Sequence, residues 1–307
     1  LSVSLHPSGL FVAVGFSSGF KIFAIVNDTL AVLKEAQIAN CRFIQYSHGG
    51  HFLLVNEKEH IFIYDSIYYE TLHLFSLTAN VKEVAISNDD LCVVATCTNG
   101  YVFCFSLYES SRSRESYNSK KGYEHKETTA YTCIGFDRWN GEKPAENNLF
   151  IGCTMEKYMC LYKNNCKQLI AEFPIVDCHI TALCISRLLG VVFLGTNRGT
   201  VRVCLWPLDE TVLQWELSGT TVKFKQPEFL EISAHSSPIT VLELSNDERF
   251  LFTGSEDGTI LCLRVEDFSE QEGSTAKEKL ALIKTEDRKR IAQSANDLYL
   301  ERIEKIE

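Results

Sequence analysis

This sequence has no apolar run long enough to cross a bilayer. Its hydrophobic stretches break roughly every six to eight residues, against the ~20 consecutive apolar residues that a spanning helix requires. No charged-then-apolar leader precedes the first of them. A soluble, intracellular protein with no membrane partner is the expectation. Positive charge is also in deficit: 30 Lys and Arg stand against 40 Asp and Glu, a net charge of −10. A sequence-independent nucleic-acid binder needs a cationic footprint to displace phosphate counterions, so no nucleic-acid partner is expected. Catalytic signatures are missing too. There is no glycine-rich phosphate loop, no G-x-S-x-G elbow and no H-E-x-x-H pair, the arrangements that cradle phosphate, activate a serine or hold zinc. None of the twelve cysteines forms a C-x-x-C pair, and most lie inside apolar strand runs. They read as buried thiols of a reducing compartment, not as a disulfide or zinc framework. No enzyme activity, cofactor or metal is expected.

What the sequence has is repetition. From Ala234 to Glu266 it runs through three alternating apolar segments, Ile239 to Leu244, Arg249 to Thr253 and Thr259 to Leu263, separated by a Ser-Asn-Asp turn and an Asp257-Gly258 turn. Period-two alternation bounded by such turns is the signal of an antiparallel β-meander. Upstream, five worn copies share its plan. Each has a turn after its second strand, at His6, Ser47, Ser87, Asp137, Ser186 and finally Ser245. Each closes on a large residue, at Phe23, Tyr64, Phe105, Tyr162, Cys204 and finally Leu263, spaced by 41, 41, 57, 42 and 59 residues. A base period near 41 suits four short strands per propeller blade. The nearly continuous apolar run in the middle of each unit suits strands covered on both faces. The fold class is therefore all-β, a propeller with six visible blades over residues 1–266. The chain opens at Leu1 inside a strand pattern, so it reads as a fragment whose ring, seven-bladed or larger, is completed upstream.

Spacing and turns resemble the WD-repeat β-propeller family across roughly residues 1–266. The Trp-Asp signature is worn to Tyr64-Asp65 and the Gly-His signature to Ala234-His235, so the family's His-Ser/Thr-Asp hydrogen-bond network is not assumed. Two long intervals between closing positions, with the longer turn-to-closing count from Asp137 to Tyr162, point to three insertions: Glu109 to Glu127, Arg138 to Asn147 and Trp206 to Gln226. The first and third fit joins from one blade's outer strand to the next blade's inner strand, and the second a join between a blade's second and third strands. All three are expected on one decorated face, as a partner contact or as tolerated surface loops. Arg112, Arg114, Lys120 and Lys121 make a basic cluster in the first insertion, beside serines able to accept phosphate. Trp139, Trp206 and Trp215 all fall in insertions, where an aromatic closes a loop or anchors a partner.

After a polar connector over 267–275, residues 276–307 lack Gly and Pro and are rich in Glu, Lys, Ala, Leu, Ile and Arg, a helical composition. Leu280, Ile283, Ile291 and Leu298 belong to one apolar stripe. It reads as the start of a coiled coil, pairing with itself or a partner, with a helix folded back on the propeller as the alternative; Asp287 and Arg302 interrupt a strict heptad. His48 and His51 flank a Gly49-Gly50 hairpin turn and read as solvated, and Asp177-Cys178-His179 sits at a strand approach with no orienting partner for thiol catalysis.

Several stretches, LHPSGLFVAVGFSSGFKIFAI, NCRFIQYSHGGHFLLV, LGTNRGTVRVCLWPL and AHSSPIT with SNDERFLFTGSEDGTILCLRV, followed by a charged helix containing KTED, also resemble a family of cilia- and flagella-associated proteins. That family joins propellers to coiled coils. The resemblance implies a non-enzymatic scaffold on axonemal doublet microtubules, near inner-arm dyneins, with dynein arms, the doublet and a coiled-coil partner as its contacts. The alternative is an interaction module of another cytoplasmic assembly, in trafficking or a ubiquitin ligase.

Overall fold

The computed structural model describes residues 2–27, 29–38, 41–107, 123–126, 131–138, 148–163, 168–186, 189–206, 222–223, 226–245 and 247–265, and every regular element among them is a β-strand. The chain divides into two compact units, Leu1–His179 with Thr211–Lys225, and Ile180–Glu210 with Gln226–Glu307.

The first unit holds four meanders. They are β1 (Ser2–Leu5), β2 (Phe11–Phe16), β3 (Gly19–Val26) and β4 (Thr29–Ala36); β5 (Ile44–Tyr46), β6 (Phe52–Glu57), β7 (His60–Asp65) and β8 (Thr71–Ser76); β9 (Val81–Ile86), β10 (Cys92–Cys97), β11 (Tyr101–Ser106) and β12 (Tyr123–Lys126); and β13 (Tyr131–Arg138), β14 (Asn148–Thr154), β15 (Tyr158–Lys163) and β16 (Gln168–Pro174). In each, neighbours in sequence are neighbours in the sheet. The second unit has β17 (Ile180–Ser186), β18 (Val191–Thr196) and β19 (Thr200–Leu205) in one sheet with β21 (Phe229–Ser233), and β22 (Ile239–Leu244), β23 (Phe250–Ser255) and β24 (Ile260–Arg264) in another. Between them in sequence, β20 (Val222–Lys223) pairs in parallel with the outer edge of β16, Ala171 opposite Val222, and so belongs to the first unit.

Burial follows strand position. The second strands β10 (CVVATC) and β18 (VVFLGT) are buried at every residue, in keeping with their nearly continuous apolar sequences. The outer strands β4 and β8 are mostly exposed. Adjacent sheets meet in separate apolar clusters: Phe20 and Ile22 with Tyr46, Leu53 and Val55 between the first and second, Phe75 and Leu54 with Val93 and Phe105 between the second and third, and Val94 and Val102 with Tyr131, Phe150 and Tyr162 between the third and fourth. In the second unit Val201 and Phe193 pack with Ile239, Leu242 and Leu251.

One sheet in each unit has a face that nothing described covers. In the first sheet, register turns Ser4, Ala13 and Ile22 toward the second sheet and Val3, Leu5, Phe23 and Val32 the other way. Val3 is 67 % and Leu5 57 % exposed, whereas Ala13 and Ile22 are fully buried. In the last sheet Leu242, Leu251 and Thr253 face the β17–β19 sheet, while Phe250, Phe252 and Ile260 are exposed.

All three expected joins are corrected. The first insertion does not link an outer strand to the next inner strand: Tyr123–Lys126, counted inside it, is the outer strand β12, paired with Tyr101–Cys104 of β11. The third lies between β19 and its outer partner β21, and contains β20. Both insertions therefore precede an outer strand. The second lies between β13 and β14, the first and second strands of its sheet, and not between the second and third.

Candidate interaction surfaces

The hairpin turn joining the first two strands of a sheet is built the same way in several blades. Gly9, Gly50, Asp90 and Glu248 each donate their backbone N–H to the carbonyl three residues before, at His6, Ser47, Ser87 and Ser245 (2.8–3.0 Å), and each has positive φ, from 54° to 74°. Glycine takes that conformation without strain, but Asp90 and Glu248 are side-chain-bearing exceptions. Their carboxylates explain the exception. Asp90 accepts the N–H groups of His48 (2.8 Å) and Gly49 (2.6 Å) in the preceding blade's turn, and Glu248 accepts the Ser186 hydroxyl of the blade before it. His6 reaches the other way, donating Nε2–H to the Gly50 carbonyl (2.9 Å). Burial pulls the Asp90 carboxyl upward, but the bonds from His48 and Gly49 outweigh it and hold the group below the ordinary carboxylate range.

The segment leaving each third strand runs beside that turn. Ile25 N–H donates to the Leu10 carbonyl (2.8 Å), Leu107 to Leu91 (2.8 Å), Trp206 to Gly190 (2.7 Å) and Val265 to Arg249 (2.8 Å). The chain after Leu107 and the chain after Trp206 thus leave their own sheets at the turn end, where the β13–β14 connection also lies in its sheet.

In the second blade the β7–β8 connection also lies at the turn end, with Ser66 N–H on the His51 carbonyl (3.1 Å). There Asp65 accepts N–H from Ile67 (2.9 Å), Tyr68 (2.6 Å) and Glu70 (2.8 Å). Lys34 Nζ donates to the carbonyls of Tyr68 (3.0 Å) and Tyr69 (2.9 Å).

The His-Thr-Asp network is intact in the last blade. His235, its side chain fully buried, binds Thr259 Oγ1 through Nδ1 and Thr253 Oγ1 through Nε2, both at 2.7 Å. Asp257 accepts the N–H groups of Thr259 and Ser236, each at 2.9 Å. Polar residues also close the second strands of other sheets: Thr196 and Thr154 occupy the register place of Ser255, and Thr96 and Asn56 stand one residue before the end of theirs. Thr196 shares a hydrogen bond with Thr200 (2.8 Å), and Asn56 Oδ1 accepts from Arg42 and Phe43 (both 3.2 Å). Thr96 Oγ1 is buried without a hydrogen-bond partner among the described residues.

Of the residues singled out from the sequence, Trp206 is described. It is 8 % exposed, packed directly behind β19 with its amide on Gly190. Arg112, Arg114, Lys120, Lys121, Trp139, Trp215, Leu280, Ile283, Ile291 and Leu298 lie outside the described residues. Cys178 is buried, and burial pushes the thiols of Cys97, Cys184 and Cys204 up to about 12, far from the thiolate form that nucleophilic cysteines require. Among the described residues no group of three His, Cys, Asp or Glu is placed to hold a metal ion. Sequence reasoning missed the exposed pair Ile67–Tyr68; Asp65 followed by three residues without regular pattern was its one local signal.

A WD40 repeat, described as "WD domain, G-beta repeat", matches residues 227–262. The match runs from β21 into β24, and the six meander sheets are the kind of unit from which WD-repeat β-propellers are built. Over most of its length the chain is homologous to cilia- and flagella-associated protein 57. It is 25% identical to the Mus musculus protein over 267 residues, 87% of this chain and 19% of that one. It is 24% identical to protein 57 A of Tetrahymena thermophila over 276 residues, 85% of this chain and 21% of that one. It is also 24% identical over 254 residues to the U3 small nucleolar RNA-associated protein 15 homolog of Gallus gallus, 80% of this chain and 46% of that one. The chain spans about a fifth of the length of these ciliary relatives.

Proposed function

We propose that the chain is a non-enzymatic scaffold of the motile ciliary axoneme, a protein-interaction propeller that holds doublet-associated complexes and helps to position inner-arm dyneins. One observation carries this reading: the similarity to relatives named for cilia and flagella extends over 85–87% of the chain, not over a single repeat. The turn-end exits after Leu107 and Trp206 support partner contacts through the inserted segments, with Arg112, Arg114, Lys120, Lys121, Trp139 and Trp215 as the contacting side chains. Segment 276–307, with Leu280, Ile283, Ile291 and Leu298, serves as a coiled-coil arm. The open apolar faces of the first and last sheets support a ring with more blades than the six described, since an apolar sheet face is normally packed on another sheet.

Imaging the tagged full-length protein in motile cells, with dynein content of axonemes measured after its deletion, tests the reading. Signal along the axoneme and a loss of inner-arm dynein are expected; normal motility with full dynein occupancy overturns the scaffold role. The similarity to a nucleolar RNA-associated protein over 80% of the chain favours a second reading, an interaction module of a different assembly. Exclusion of the tagged protein from cilia is its signature.

A further inference from the structure

In the first unit, the turns of the first three blades are tied into one rigid platform. His6 donates to Gly50, Asp90 accepts from His48 and Gly49, and Ser66 ties the β7–β8 turn to the same place, its hydroxyl on the Gly50 carbonyl and its N–H on the His51 carbonyl (3.1 Å). From this platform Ile67 and Tyr68 project side by side, 77 % and 74 % exposed, with Leu10 at 56 % on the neighbouring turn. Large apolar side chains at the tip of a turn ordinarily cost solvation and gain nothing, and a mobile tip would hide them. Here the backbone is fixed on both sides. Asp65 holds the amides of Ile67, Tyr68 and Glu70, Lys34 holds the carbonyls of Tyr68 and Tyr69, and the Tyr69 hydroxyl reaches the buried Tyr46 hydroxyl at 3.1 Å. Tyr69 adopts a φ of 57° to close the turn. Burial draws the Asp65 carboxyl upward, and the amide bonds prevail, keeping it ionised at neutral pH.

We propose that Ile67 and Tyr68 are the anchor of a protein docking site on the turn end of the second blade. The ordering of these side chains' backbone is complete before binding, which removes an entropic cost from association. An exposed Tyr beside a branched aliphatic residue on a rigid support is the composition of an interface hot spot. Both side chains stand out from the turn into solvent, so the partner supplies the concavity: an apolar cleft about two side chains wide. Two carboxylates, Asp65 and Glu70, flank the pair in the chain and a third, Asp90, lies on the tied turn at Gly49, against the single ammonium of Lys34 at the Tyr68 and Tyr69 carbonyls. The cleft is therefore rimmed by Lys or Arg. The choice of partner rests on the ciliary reading: a basic, cleft-bearing protein of the axoneme.

The test is rebinding of the purified 307-residue chain to salt-extracted axonemes, compared with the double variant Ile67→Ser/Tyr68→Ser, with Asp65→Ala, which keeps both side chains but frees their backbone, and with Ile260→Ser, which removes an isoleucine as exposed as Ile67 elsewhere. Saturable binding is expected for the parent and for Ile260→Ser. The double variant is expected to bind at least about tenfold more weakly, Asp65→Ala to fall between, and binding to weaken as salt rises. Circular dichroism melts verify that the variants are folded, as exposed positions predict. Double-variant binding equal to the parent's, or equal weakening by Ile260→Ser, overturns the docking site while leaving the ciliary reading intact. Absence of any saturable binding by the parent overturns both.

Discussion

Asp90 shows how a strained residue is kept in place by what its side chain does. Its left-handed backbone costs about 1 kcal/mol relative to glycine, yet its carboxylate ties the second blade's turn to the third. Asp90→Gly relieves the strain and loses the tie. Two charge-assisted bonds outweigh the relief, so a net loss of about 1 kcal/mol at pH 7 is expected by urea denaturation. The sign of the pH dependence follows from the lowered carboxyl: its stabilisation is present above the unfolded carboxylate range and disappears as pH falls through the folded value. In strong acid, where the tie is gone and the strain remains, the variant should therefore become the more stable of the two, and a deficit that persists there refutes the tie.

At the scale of the element, second strands differ in how far their buried hydroxyls are satisfied. Thr253 is bonded by His235; Thr96, in the third blade, is buried with its hydroxyl unmatched. An unsatisfied buried hydroxyl costs about 1–3 kcal/mol, so Thr96→Val should leave stability unchanged or raise it by about 1 kcal/mol, and Thr253→Val should lower it by about 1–2 kcal/mol. Chemical denaturation of the pair decides this, and equal losses refute the distinction. The elements themselves were legible because their causes are local: Ser-Asn-Asp at Ser87 and Ser245 closes a turn within four residues, and CVVATC or VVFLGT declares a doubly covered strand. What stayed hidden depends on distant neighbours. Tyr123–Lys126 reads YEHK, with no apolar alternation, and becomes β12 only because β11 offers an edge. Val222–Lys223 is too short to signal anything. Trp206 looks like a loop residue until the packing behind β19 buries it. Ile67 and Tyr68 carry no marker in sequence, since their exposure reflects the shape of the surface around them.

For the molecule as a whole, the open face of the first sheet makes a prediction that separates this chain from a longer one. Val3→Lys/Leu5→Lys should leave the Tm of the 307-residue chain unchanged and reduce its self-association in sedimentation. In a longer chain whose ring is completed by another blade, the same pair should lower Tm by several degrees, because two charges would be buried. A fall in Tm in the shorter chain would show that the face is already covered. The placement of β20 bears on how the protein can be divided or inherited. The chain completes three strands of the fifth blade, returns to lay Val222–Lys223 along β16, and only then supplies β21. The units are interleaved along the sequence, so no single cut releases both whole: a break after His179 strips β20 from the fourth blade, and one after Lys225 leaves β17–β19 attached to the wrong piece. Recombination that shuffles blades as cassettes is blocked across this stretch, and the last two blades can be exchanged only together with the strand that borders the fourth.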